Sequence, residues 1–229
     1  MGPFVALRRL QTSGLMAAAL LLAGCGDRCV PRQRTNALTA PYNQFFSRLA
    51  PCGYTNTVPF AARSSSGLTD SYTGSCLSNG PTYDASSSSG CETILTEHRG
   101  IYDYASLYGF RFNTIIMMDA AGPLLRLVDL SANSGTPTTE LTYHFQSRQA
   151  TVTSRDASYT TVVFAQPPVV TELTNFTSGG RSYAQVWRIT NPLKATQGRA
   201  TAVAVLYVDR DYGLIGFEQR DGTNWTLLP

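Results

Sequence analysis

The strongest constraint on the fold is an alternation of apolar and polar residues with a period of two, which begins near Cys91 and runs to the C-terminus. Leu141, Tyr143 and Phe145, for example, alternate with Thr, His and Gln. A period of two is typical of half-buried β-strands, because successive side chains of a strand point to opposite faces. The same pattern recurs in the segments 108–112, 183–189 and 203–207. The spacing predicts about nine or ten strands over residues 91–229.

Short turn signals separate these strands and favour antiparallel pairing. Asp221-Gly222 predicts a two-residue type I′ hairpin, because this pair tolerates positive φ, and Asp209 to Gly213 predicts a looser turn. Gly179-Gly180 is interpreted as a hairpin turn, and Gly122-Pro123 divides the run 115–125 into two short strands. The fold class predicted is mainly β: a single antiparallel domain forming a sandwich, a barrel or a strongly curved sheet.

The first 24 residues have the layout of a bacterial export signal. Arg8 and Arg9 precede the apolar run 15–22, and small residues follow it. This run is too short to cross a hydrocarbon core of about 30 Å as a permanent helix. Residues 1–24 are therefore predicted to be a cleaved signal peptide.

The end of this segment, Leu22-Ala23-Gly24-Cys25, resembles the lipobox of bacterial lipoproteins. The resemblance implies cleavage before Cys25, lipidation of its thiol, acylation of the new α-amine, and the membrane as a partner held through this anchor. Gly26 resembles the residue found in lipoproteins sorted to the outer membrane, and the absence of an acidic cluster after it favours the periplasmic face. The alternative is a plain secretory signal with Cys25 as an incidental thiol.

The four remaining cysteines are an even number in an oxidising compartment, which predicts two disulfides. Three connectivities exist, and the one that closes the shortest loops joins Cys29 to Cys52 and Cys76 to Cys91. A zinc site is the alternative, but no C-x-x-C pair is present, so no metal is predicted.

Residues 25–90 are interpreted as a tether that precedes the β domain. A short helix is predicted over Pro41–Leu49, with Phe45, Phe46 and Leu49 on its apolar side. Residues 61–90 are rich in Ser and Gly, a composition typical of linkers and surface loops. The tether is therefore predicted to be a loop region stapled by the disulfides.

No catalytic motif is found. G-x-S-x-G and H-E-x-x-H are absent, and no glycine-rich phosphate loop leads into a helix. His98 and His144 are interpreted as solvated strand residues. Two pairs of carboxylates flank predicted turns, Asp209 with Asp211 around Arg210 and Asp119 with Asp129 around Gly122-Pro123, and they are interpreted as turn residues. The chain is predicted to be non-enzymatic and without a cofactor.

The densest aromatic run, residues 101–108, offers the only candidate binding residues. Tyr102, Tyr104 and Tyr108 would bind an envelope glycan or protein if exposed, and fill the core if buried. Removing the leader leaves sixteen basic residues, scattered along the chain, against fifteen acidic ones. No basic stripe is present to neutralise phosphates, so nucleic acid is not predicted as a partner.

The C-terminal strands resemble the closing strands of uncharacterised envelope lipoproteins. The resemblance lies in the segments 180–186, 206–208, 212–217 and 222–225. It implies a β-rich fold and supplies no catalytic residues.

Together these features predict a non-enzymatic, lipid-anchored envelope protein with a binding or scaffolding role. The first alternative is a carrier or sensor that holds an apolar ligand in a barrel-like pocket. The second is a hydrolase of envelope polysaccharide, which needs two carboxyl groups about 5–9 Å apart across a cleft.

Overall fold

The computed structural model describes residues 32–48, 57–76, 82–88, 92–131, 138–155, 161–163 and 167–228. The predicted signal peptide, Cys25, Cys29, Cys52 and Cys91 lie outside the described residues. The strands are β1 (Arg32–Asn36), β2 (Thr57–Ser64), β3 (Thr69–Cys76), β4 (Thr82–Ser88), β5 (Glu92–Ser106), β6 (Arg111–Asp119), β7 (Gly122–Asp129), β8 (Thr138–His144), β9 (Gln149–Arg155), β10 (Thr161–Val163), β11 (Val169–Ser178), β12 (Arg181–Thr190), β13 (Val203–Asp209), β14 (Gly213–Gln219) and β15 (Asn224–Leu228). A 3-10 helix spans Tyr42–Gln44, and the helix α1 spans Pro192–Thr196.

The strands form one sheet that is nearly barrel-shaped, which confirms the prediction of a mainly β, antiparallel fold. The main path runs in the order β10-β9-β8-β7-β6-β5-β3-β2-β15-β14-β13-β12-β11 and is antiparallel throughout. β1 and β4 both pair with the first half of β5, β1 in parallel and β4 in antiparallel. β5 is therefore shared by four neighbouring strands.

The sheet curls so that β7–β9 face β11 and β12. The Tyr143 hydroxyl on β8 donates to Oε1 of Glu172 on β11 over 3.3 Å, and Nδ2 of Asn191 donates to Oγ1 of Thr139 over 2.8 Å. The enclosed space is filled largely by aromatic rings, which have a larger apolar surface than other side chains. The buried rings of this core are Phe45, Phe46, Phe60, Tyr72, Tyr104, Phe110, Phe112, Tyr143, Trp187, Phe217 and Trp225.

β2 and β3 show that the sheet begins before the predicted domain boundary at residue 91. They lie between β5 and β15 in the strand order, and β4 pairs with β5, so the interpretation of residues 61–90 as a linker or loop is wrong for residues 61–64, 69–76 and 82–88. Phe60 and Tyr72 point into the core, whereas most of the Ser and Thr residues lie on the outer face or in turns. Pairing with both neighbours outweighs the low strand propensity of Ser and Gly.

The predicted helix over Pro41–Leu49 is a single 3-10 turn, Tyr42–Gln44, followed by a bend over residues 45–48. The predicted apolar side is confirmed for Phe45 and Phe46, which are both buried; Leu49 lies outside the described residues. Phe45 packs against Phe145 and Trp187, with ring centroids 5.5 and 5.4 Å apart. The segment therefore covers one open end of the curled sheet.

Three hairpins share one turn geometry, which corrects the predicted type I′ turn at Asp221-Gly222. The Gln219 N–H donates to the Thr223 carbonyl, the Gly222 N–H donates to the Gln219 carbonyl, and Gly222 alone in this loop has a positive φ, of 87°. This is a three-residue loop with a glycine bulge rather than a two-residue loop. The turns at 64–68 and 106–110 repeat the same two hydrogen bonds, with Gly67 and Gly109 at the positive-φ position.

The β11–β12 hairpin bends over the outer face of β13–β15. Its tip is the type I′ turn at Gly179-Gly180, where both residues have positive φ, in agreement with the predicted hairpin turn. The Ser178 hydroxyl lies 3.0 Å from that of Thr226 on β15, and Phe176 stacks on Tyr207 at 5.2 Å. These contacts form a small second core on the outside of the sheet.

Candidate binding surface at one end of the sheet

The strand register places several turns at one end of the molecule, which we call the loop end. It comprises the turns 64–68, 106–110 and 219–223, the first residue of β11, and the segment around α1. β5 runs toward the loop end, and β1 runs parallel to it with Arg32 opposite Glu92. The described chain therefore begins at the opposite end, which we call the anchor end.

The loop end carries all four exposed large apolar side chains of the described residues. They are Leu68, Leu107, Tyr108 and Val169, which are 51%, 90%, 47% and 62% exposed. Isolated exposed apolar residues are ordinary on protein surfaces, but their concentration at one end is typical of an interaction site.

The turn that presents Leu107 and Tyr108 is rigidly held. The Gly109 N–H donates to the Ser106 carbonyl, and the Phe110 N–H donates to the Ser106 hydroxyl over 3.1 Å. The Tyr108 ring packs against Trp225 of the core at a centroid distance of 6.0 Å. Leu107, at the centre of this turn, is therefore fixed in an exposed position before any partner arrives.

A groove adjoins this turn on the outer face of β2 and β3. It encloses about 620 Å³ and is lined by Ala61, Ala62, Arg63, Thr69, Asp70, Ser71, Leu107, Tyr108 and Leu228. Small side chains form much of its floor, and Leu107 with Tyr108 forms one wall. The groove and the exposed turns make one continuous surface.

The charges exposed at the loop end are mostly positive. Arg63, Arg111, Arg199 and Arg220 are exposed there. Asp221 is the exposed acidic residue described in the same region, whereas Asp70 is only 8% exposed, Asp129 is buried against Lys194 and Glu218 is half-buried. The Arg220 guanidinium also donates to the Gly198 carbonyl over 2.8 Å, which joins the β14–β15 turn to the segment after α1.

The three candidate tyrosines do not form one exposed row. Tyr104 is fully buried against Phe60, with ring centroids 5.1 Å apart, and this burial raises the pKa of its hydroxyl. Tyr108 is exposed at the loop end. The side chain of Tyr102 lies outside the described part of the chain. An irregularity in the β5–β6 register between Ile101 and Tyr104 breaks the simple alternation of this run.

His98 is 1% exposed, so its interpretation as a solvated residue is wrong; it lies on β5, which has neighbours on both sides. His144, at the end of β8, is half-buried.

Of the four carboxylates weighed for hydrolysis, Asp209 and Asp211 lie together in the β13–β14 turn, whereas Asp119 and Asp129 lie at opposite ends of the β6–β7 hairpin. Asp119 accepts from the Ala121 N–H in the β6–β7 turn. Asp129, at the far end of β7, is fully buried against Lys194, with Nζ 2.6 Å from Oδ2. Asp209 is buried in the β13–β14 turn and accepts from the N–H groups of Asp211 and Tyr212, and burial raises its pKa. Asp119 lies opposite Gly122 on β7, seven residues from Asp129, so the two are separated by roughly 24 Å, which is too far for a catalytic pair.

A second depression lies at the anchor end, beside the 3-10 helix. It encloses about 270 Å³ and is lined by Pro41, Tyr42, Phe45, Phe145, Arg148, Glu172, Gln185, Trp187 and Arg210. Its rings pack on each other, and Arg210 is paired with Asp211 over 2.8 Å. The narrow apolar seam between β7–β9 and β11–β12 is packed too tightly to admit a water molecule.

No cluster of three or more potential metal ligands occurs among the described residues. The same part of the chain has no helix that is long and apolar enough to span a membrane. It also contains no disulfide; Cys76 ends β3, and its side chain is not described. No protein-family model, curated protein or solved structure matches the chain.

Sequence reasoning found Tyr108 but missed Leu68, Leu107 and Val169. A signal was present, because Ser66-Gly67-Leu68 and Ser106-Leu107-Tyr108-Gly109 place apolar residues inside turn sequences. Turns are normally polar, so an apolar residue next to a turn glycine indicates a surface with a role other than folding.

Proposed function

We propose that this chain is a non-enzymatic, lipid-anchored protein of the bacterial cell envelope that binds a partner through the loop end. Cys25 carries the acyl chains, and the periplasmic face of the outer membrane is the favoured location. The observation that carries this proposal is the position of the exposed apolar side chains at the end opposite the start of β1. An anchor before Arg32 would direct the loop end away from the membrane that holds it.

Two features support a binding role over an enzymatic one. Asp119 lies far from Asp129, which is already paired with Lys194, and the buried Asp209 carboxylate accepts from two backbone N–H groups of its own turn. The exposed apolar residues, by contrast, lie on turns held by glycine bulges and by core aromatics. A preorganised apolar surface loses little conformational entropy on binding.

Metabolic labelling with palmitate tests the anchor. Cells expressing the full chain should incorporate label into it, and Cys25→Ser should abolish the incorporation. Cys76→Ser is the matched control, because it removes a different cysteine and should leave the label in place. Label that persists in Cys25→Ser would contradict the anchor.

Photo-crosslinking in cells tests the surface. A photoreactive amino acid at Leu107 should give discrete adducts with protein or lipid. The same group at Thr174, an exposed residue in the middle of β11 and away from both ends, is the control. Equal adducts at the two positions, or none at Leu107, would contradict a binding role for the loop end.

The disulfide framework is also part of the proposal, with a connectivity suggested by the strand register. Cys76 is paired with Ile101 on β5, whereas Cys91 is bonded to Glu92, roughly 30 Å away along the same strand. Cysteines with Cα atoms more than about 7 Å apart are not bridged. The register brings Arg32 beside Glu92 and Thr57 beside Ser75, which favours Cys29–Cys91 and Cys52–Cys76.

A further inference from the structure

We infer that the loop end binds the surface of an anionic lipid bilayer. The inference rests on the proposed function, since it names the partner of the same surface. Leu107 and Leu68 would enter the boundary between headgroups and acyl chains, with Tyr108 at the headgroup level. Leucine supplies apolar area to this boundary, and the amphipathic ring of tyrosine is well suited to it.

The exposed charges match such a surface. Arg63, Arg111, Arg199 and Arg220 surround the apolar turns, while Asp221 is the one fully exposed carboxylate among the described residues there. Basic side chains near an anionic bilayer are each attracted by about 1 kcal/mol. Arginines on several segments flank the apolar turns, so attraction to anionic headgroups and apolar insertion would act at the same surface.

The arrangement of the exposed apolar side chains also favours a lipid bilayer, which is flat and fluid, as the partner. Leu68, Leu107 and Val169 lie on three different segments that reach the same end of the sheet. Side chains on separate turns at one end can enter a lipid surface together without a matching contour. The turns are fixed by backbone hydrogen bonds, so insertion requires no refolding.

The bilayer bound in this way differs from the one that holds the anchor. From Glu92, which pairs with Arg32, β5 extends to Ser106 over roughly 45 Å. The seven-residue step from Cys25 to Arg32 spans at most about 25 Å. With the sheet upright on its anchor, the loop end points away from the anchoring membrane and meets a second lipid surface.

Vesicle clustering tests this inference with the lipidated protein. The protein is reconstituted into neutral phosphatidylcholine vesicles and mixed with protein-free vesicles of phosphatidylethanolamine and phosphatidylglycerol, and particle size is followed by light scattering. Clusters should form with these acceptors, disperse at high salt, and fail to form with phosphatidylcholine acceptors.

Variants assign the effect to the loop end. Leu107→Ser should weaken clustering by about tenfold, since the lost apolar burial is about that of one leucine, while Leu107→Met should retain it. The double variant Arg63→Ser/Arg199→Ser should weaken clustering by roughly tenfold or more. Arg32→Ser/Arg34→Ser changes the net charge equally at the anchor end and should have no effect.

Several outcomes would overturn the inference. Folded wild-type protein that does not cluster anionic vesicles, or clustering that Leu107→Ser leaves unchanged, would do so. Clustering only when both vesicle populations carry protein would assign the loop end to self-association. Protein adducts from Leu107 in cells without vesicle clustering would refute lipid binding but retain the proposed binding surface, and loss of the palmitate label would refute the anchor alone.

Discussion

The ammonium of Lys194 on α1 lies 2.6 Å from Oδ2 of Asp129 at the end of β7, and both side chains are completely buried. Lys194 is the only lysine of the chain. Oδ1 of Asp129 accepts from the Ser131 N–H over 2.9 Å, and Asn191 caps α1 while bonding Thr139 on β8. This network ties the segment after β12 to the opposite side of the curled sheet.

Removing one partner of this pair should be strongly destabilising. Lys194→Met leaves the Asp129 carboxylate buried without its counter-ion, which costs about 3–5 kcal/mol of unfolding free energy. Lys194→Met/Asp129→Leu removes both charges and should recover most of that loss. Urea denaturation followed by circular dichroism measures both variants, and equal stability of the single variant and the wild type would contradict the expected role.

The same burial predicts unusual resistance to amine-reactive reagents. If the α-amine of Cys25 is acylated, Lys194 is the only primary amine, and the native protein should incorporate almost no N-hydroxysuccinimide ester. In urea it should incorporate one label, at Lys194. Mass spectrometry measures the label count, and a native adduct at the N-terminus would show that the α-amine is free.

Substitution of the two adjacent glycines at the tip of the β11–β12 hairpin tests whether this tip packs on β15. A Cβ atom added at Gly179 would lie 2.6 Å from the Leu228 side chain and 2.7 Å from that of Thr226. A Cβ atom added at Gly180 would have no atom within 4 Å. Both residues have positive φ, so Ala at either position should cost about 1–2 kcal/mol of unfolding free energy. Gly179→Ala should cost about 1 kcal/mol more. Thermal denaturation compares them, and equal losses would mean that the tip does not rest on β15.

Asp209 predicts a specific pH dependence. Burial raises its folded-state pKa above the ordinary value of 3.8, so the folded protein binds a proton more readily than the unfolded chain. The contribution of Asp209 to the free energy of unfolding therefore increases as the pH falls through the raised pKa toward 3.8, and decreases again as the pH rises. Asp209→Asn, which retains an oxygen to accept from Asp211 and Tyr212, should remove this component. Urea denaturation of both proteins at a series of pH values above 3.8 tests this prediction. If the free energy of unfolding changes with pH to the same extent in Asp209→Asn and in the wild type, the prediction is wrong.

Peptide mapping without reduction tests the disulfide connectivity. Cys29–Cys91 and Cys52–Cys76 are expected, because β1 pairs with β5 and β2 pairs with β3 next to these positions. Peptides that link Cys76 to Cys91, the pairing favoured by loop length alone, would contradict the register of β3 and β5.

The alternation of apolar and polar residues, together with the glycines at turns, was sufficient to predict most of the strands from Cys91 onward. The strands around Leu141–Phe145 and the turns at Gly179-Gly180 and Asp209–Gly213 were predicted because side-chain period and glycine geometry are local properties. The strands β1 to β4 were missed because their polar sequences, Ser-rich in β3 and β4, become strands only by pairing with β5, with β15 or with each other. The buried Asp129–Lys194 pair joins residues 65 positions apart, and no local pattern signals it.

The parallel pairing of β1 with β5 has a mechanical consequence. A pull on the chain ahead of Arg32, directed away from a body held at the loop end, acts along the axis of β1. The five residue pairs between these strands would then be loaded together in shear rather than opened one by one. Tension between two membranes would thus be carried along β5, from its pairing with β1 to the loop end. The turns at the loop end would keep their conformation under this load.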